Sequence, residues 1–142
     1  MATFVLVHGA YHGAWCWERL RRRLELAGHR AFANDLPGHG ENANPTDATL
    51  ANYADATAAL ISGVTGSAGD DGITLVGHSM AGAVIAEVAE RVPDALARLV
   101  FLSAYLPTSG QSIADLARTD EQVKIQPQRI DIDGTPCLSL PD

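Results

Sequence analysis

Cysteine is almost missing from this chain of 142 residues, with Cys16 and Cys137 the only two. Two isolated thiols make no disulfide framework, which excludes a small stapled scaffold and predicts a reducing compartment. Positive charge is scarce too. Ten Lys and Arg stand against 17 Asp and Glu, a net charge of -7, and a surface of that sign repels phosphate backbones, so a nucleic-acid partner is excluded. The one basic cluster, Arg19, Arg21, Arg22 and Arg23, lies in a helical pattern with Leu20, Leu24 and Leu26, which reads as a solvated helix face. No apolar run approaches the roughly 20 residues that span a bilayer, so no membrane partner is expected. No basic region followed by a long apolar run and a cleavage site precedes Thr3-Phe-Val-Leu-Val7. The expected location is cytoplasmic.

Hydrophobic residues make up 46% of the chain, enough for one ordinary core. Short β-branched or apolar runs at residues 3–7, 30–34, 72–76 and 97–102 alternate with helical patterns at 16–27, 50–63 and 80–92, the last stopped by Pro93. Such alternation predicts an α/β fold, a parallel sheet with helices on both faces. Beyond Leu106-Pro107 the pattern weakens to one short helix begun by Ser112 with Asp115 in its first turn. The expected organisation is therefore a core over 1–107 and the beginning of a cap or lid segment over 108–142.

Gly77-His-Ser-Met-Ala-Gly82 follows the run Ile73-Thr-Leu-Val76 directly and leads directly into a helix. A serine at such a strand-to-helix turn projects its hydroxyl above the sheet, and small neighbours let the turn close. Gly77 and Ala81 fill the small positions, Ala81 where glycine is usual. The helix N-terminus behind Ser79 offers free N–H groups to a developing oxyanion. A phosphate-binding loop would need Lys and Ser or Thr where Ala83 and Val84 stand. A purely structural turn stays open on the motif alone.

The first strand runs into His8-Gly-Ala-Tyr-His-Gly13, and Asp35-Leu-Pro-Gly-His-Gly40 follows the second. With the Ser79 turn, these motifs make residues 3 to about 112 resemble the α/β-hydrolase family, in the branch of plant methylesterases, hydroxynitrile lyases and bacterial pyrethroid-type esterases. The resemblance implies that Ser79 is the nucleophile and that the backbone N–H groups of Ala10 and Met80 form the oxyanion hole. It implies no cofactor. It places the first strand between the second and third, so that the loops after residues 7 and 77 meet at a switch point where ligands bind. Gly9, Tyr11, His12 and His78 are the expected pocket residues, with Trp15 a further candidate; His29 and His39 read as loop or surface histidines. His8, His12 and Cys16 recur every four residues, but Gly9 and Gly13 break any helix that would align them, so no metal site is expected.

The same resemblance orders the triad as serine, acid, histidine, and no histidine follows Ser79 here. The 142 residues alone are therefore expected to be inactive and to resemble an N-terminal half of the fold, with the strand at 97–102 an open edge that calls for a complementary C-terminal segment or a homodimer. The expected activity is hydrolysis of a small, apolar carboxylic ester. Lyase relatives tend to carry threonine at the place of Gly9 and an acidic residue at that of His78, so both positions here resemble the esterases. A small-molecule binding or receptor protein of the same fold is the third alternative.

Overall fold

The structure is a computed structural model that describes residues 1–40, 47–66, 72–119, 128–132 and 134–139. Its described part divides into two compact units, Met1–Leu106 and Pro107–Asp142.

The first unit is built on four parallel strands: β1 (Thr3–Val7), β2 (Arg30–Phe32), β3 (Ile73–His78) and β4 (Leu96–Leu102), in the order β2-β1-β3-β4. β1 is apolar and β-branched at alternate positions because it is covered on both faces. Val5 and Val7 turn to the cluster that includes Leu75, while Leu6 joins Val76 on the opposite side. The first side is roofed by α2 (Leu50–Thr65) and α3 (Ala81–Arg91), which contribute Ile61, Val64, Val84, Ile85 and Val88. Each fully buried Leu or Ile contributes about 1.5–3 kcal/mol relative to exposure, so this layer fixes where β1 and β3 end. Thr49 caps α2, its hydroxyl accepting from the Asn52 N–H at 3.1 Å.

The second side is thinner. A 3₁₀ turn over Ala14–Trp17 inserts Trp17, and α1 (Glu18–Leu26) continues from it without burying a single residue. The amphipathic helix expected over 16–27 is present as this turn and α1: Trp17 is buried and Leu24 packs half-buried on the Leu6 cluster, while Leu26 lies further round and is 84% exposed. β2 is shorter than the expected 30–34; among the described residues it pairs with β1 alone, over Arg30 to Phe32.

β4 stands at the sheet edge, and Leu99, Val100, Phe101 and Leu102 are each 37–45% exposed. In the second unit, α4 (Ile113–Thr119) begins where expected, the Ser112 hydroxyl accepting from the Asp115 N–H at 3.1 Å while the Asp115 carboxylate accepts from the Ser112 N–H at 2.9 Å. An antiparallel hairpin of β5 (Gln128–Ile132) and β6 (Thr135–Ser139) was not anticipated. Its signal was the Asp133-Gly134 pair in the sequence.

Candidate active site

β3 ends at His78 and α3 begins at Ala81, so Ser79 and Met80 make the whole connection. Ser79 sits at φ 55°, a left-handed conformation that strains a residue with a side chain and persists only where its surroundings enforce it. Here the surroundings do. The Ser79 carbonyl accepts from the N–H groups of Gly82 and Tyr105 at 3.1 and 3.0 Å, and its own N–H points to the Leu102 carbonyl at 3.4 Å. Gly77 is needed for closure, because a Cβ there would lie 2.7 Å from the Ala81 carbonyl oxygen. Ala81 itself is fully buried, so the methyl that replaces the usual glycine is accommodated in the core.

The β1–β3 register pairs Val7 with Gly77, which brings the loop after β1 alongside this turn. Gly9 is in closest approach: a Cβ on it would stand 3.0 Å from both the His78 carbonyl oxygen and the Ser79 Cβ. Tyr11 turns the chain at φ 63° and is 38% exposed. Among the described residues neither the Ala10 nor the Met80 backbone N–H donates a hydrogen bond, and the Ser79 hydroxyl makes none.

Imidazoles surround the loop. His8 is fully buried, with Nδ1 2.8 Å from the Gly9 carbonyl oxygen and Nε2 accepting from the Leu36 N–H at 3.0 Å. His12 Nδ1 lies 2.9 Å from the Ala10 carbonyl oxygen; its ring stacks on Trp15 at 5.5 Å and meets the His78 ring edge-on at 5.9 Å. Trp15 is 66% exposed and Trp17 only 6%, so the two tryptophans divide into a surface ring and a core ring. Burial holds the His8, His39 and His78 pKa values below the ordinary histidine value; the neighbouring His39 adds to this at His8, and His12 does so at His78.

Two residues escaped the sequence reading. His39, taken for a loop or surface residue, packs edge-on against His8 at 5.0 Å and bonds the Tyr53 hydroxyl at 2.9 Å. Asp35 accepts from the Ala14 N–H at 2.6 Å and crowds against Gly13 and Gly40, tying the loop after β1 to the loop after β2. Their shared motif, Asp35 to Gly40, was the available signal. Among the described residues no three His, Cys, Asp or Glu side chains are placed to hold a metal ion.

Residues 4–135 match the model of a family described as the alpha/beta hydrolase family. The chain is 40% identical over 108 residues to the probable esterase PIR7A of Oryza sativa subsp. indica, a match covering 76% of this chain and 41% of that protein. Among solved structures it is similar to an extracellular alpha/beta-hydrolase from a Paenibacillus species, described as sharing structural and functional homology with tobacco salicylic acid binding protein 2. That likeness has a TM-score of 0.69 and 33% identity, and covers 81% of this chain and 46% of the other. Polyneuridine aldehyde esterase aligns with a TM-score of 0.73 and 28% identity, over 99% of this chain and 57% of its own. The chain thus spans about two fifths of the length of the curated relatives it matches.

Proposed function

Because the chain belongs to the alpha/beta hydrolase family, we propose that it serves the hydrolysis of a carboxylic ester of a small, apolar molecule, with Ser79 as nucleophile. The observation that carries this reading is the strained Ser79, at φ 55° on a two-residue turn, with the loop after β1 packed against it through Gly9. A serine held this way is fixed at the carboxyl end of β3, beside the switch point where β1 and β3 adjoin. The relatives named as esterases favour the same chemistry.

In the proposed reaction the Ser79 oxygen attacks the ester carbonyl carbon and its proton passes to a general base. The carbonyl oxygen, now carrying the charge, accepts from the N–H groups of Ala10 and Met80. Collapse expels the alcohol, which takes the proton from the base, and leaves an acyl group on Ser79. Water then attacks that acyl carbon and gives a proton to the same base; the bond to the Ser79 oxygen breaks, that oxygen takes the proton back, and the acid leaves with both serine and base restored. Among the described residues the Ser79 hydroxyl bonds to no histidine. Tyr11, His12, His78 and the exposed Trp15 are the proposed lining on the β1 side.

Hydrolysis of a p-nitrophenyl or methyl ester by the protein that carries this chain is the test. Ser79→Ala should lower kcat by about 10⁴-fold or more. Activity left near the wild-type level would remove Ser79 from the mechanism.

A further inference from the structure

His8 lies outside the proposed chemistry, yet it is the most tightly specified side chain near it. It is fully buried and both ring nitrogens are engaged. A carbonyl oxygen can only accept, so Nδ1 carries the proton toward Gly9. The Leu36 N–H can only donate, so Nε2 is bare. The two bonds together select one neutral tautomer.

The bond to Gly9 has a consequence one atom further on. The Gly9 C=O and the Ala10 N–H belong to one planar peptide group, so whatever fixes the direction of the carbonyl fixes the N–H pointing the opposite way. We propose that His8 is a positioning residue of the oxyanion hole: by holding the Gly9 carbonyl it aims the Ala10 N–H. The inference rests on the assignment of Ala10 as an oxyanion donor.

The ring is itself held from behind. Leu36 ties it to the loop after β2, and His39 stands edge-on against it, anchored in turn on Tyr53. Asp35, His39 and His12 are the titratable groups that face it. The peptide cannot turn without breaking the bond to a ring that has no room to follow. A buried histidine that merely filled the core would need two partners, but neither need be the peptide that carries the donor.

Asn and Gln separate the two roles. The Asn amide nitrogen reaches about where Nδ1 does, so His8→Asn keeps the hold on Gly9 and loses the acceptor for Leu36. The Gln carbonyl reaches about where Nε2 does, so His8→Gln keeps Leu36 and releases Gly9. Both variants lose one buried hydrogen bond and should be destabilised alike. His8→Gln should lower kcat about 10- to 100-fold with KM unchanged, since a misaimed donor is lost only in the transition state. His8→Asn should stay within about threefold of wild type. Equal kcat losses in both variants would overturn the proposal. NMR of the 142-residue chain reads the hold without any turnover: the Ala10 amide resonance should shift in His8→Gln and not in His8→Asn, and an unmoved resonance in both overturns it. Ester turnover absent from the wild type, with that shift present, would instead count against the esterase reading alone. Should neither variant fold, the wild-type ¹⁵N spectrum decides: a proton on Nδ1 of His8 supports the proposal, and one on Nε2 overturns it.

Discussion

Gly9 lies so close to Ser79 that a single carbon added to it would stand 3.0 Å from the Ser79 Cβ and equally near the His78 carbonyl oxygen. The latter is backbone at the end of β3 and has little freedom to retreat. Gly9→Val should therefore lower stability by about 1–3 kcal/mol, read as a shift in the urea midpoint. It should also abolish labelling of Ser79 by a fluorophosphonate in the ester-hydrolysing protein. A variant of wild-type stability would mean that the two loops are further apart than described.

A pair of glycines gives opposite signs for the same substitution. Gly77→Ala would drive a methyl to 2.7 Å from the Ala81 carbonyl oxygen and should destabilise by about 1–3 kcal/mol. Gly63 is exposed in α2 and has nothing within 4 Å of an added Cβ. Gly63→Ala should stabilise by about 0.4–1 kcal/mol, by narrowing the unfolded ensemble. Denaturant titrations of the two variants side by side check both signs.

Acid should weaken the fold well above the carboxylate range. His8, His39 and His78 all have folded pKa values lowered, by burial first, with Asp35 working in the opposite direction at His8 and His39. The unfolded chain then takes up protons before the folded one does. The contribution is complete above the unfolded histidine value of about 6.5 and is lost as the pH falls through it toward the lowered folded values. Urea midpoints should drop between pH 7.5 and 5.5, and a midpoint that stays level would contradict the buried neutral rings.

The 142-residue chain alone should hydrolyse p-nitrophenyl acetate no faster than its own Ser79→Ala variant. A serine hydroxyl without a base is a weak nucleophile, and among the described residues the Ser79 hydroxyl has no hydrogen bond to any imidazole. Turnover that disappears on replacing His12 or His78 would show that a histidine of this chain takes the proton.

What could be read from residue types was the part governed by periodicity and by local turns. The strand at Thr3–Val7, the helix stopped before Pro93 and the order β2-β1-β3-β4 all appear where the pattern and the resemblance placed them. The Ser79 turn was legible because all its residues fall within one short stretch of sequence, Gly77 to Gly82. α1 lies inside the helical pattern over 16–27, with Leu24 packed on the Leu6 cluster; of its leucines Leu26 alone falls off that stripe by a wide angle. The roles of Asp35 and His39 were illegible for a different reason. Their partners, Ala14, Tyr53 and the His8 ring, are distant in sequence and are brought near only once β2 lies beside β1.

That β1 lies inside the sheet fixes the order in which a nascent chain can assemble. Thr3 pairs with Arg30 on one side and with Ile73 on the other. At about 5–20 residues per second, the ribosome needs roughly 4 to 14 seconds to add the 70 residues between the last of these partners. Throughout that interval an apolar strand, the first one made, has at most one neighbour. Non-local pairing of this kind is intrinsically slow, and the interval is when a chaperone would find Phe4 to Val7 uncovered. Leu36, which bonds the His8 ring, precedes Ser79 in the chain, so the residues that support the donor side of the site are all made before the nucleophile.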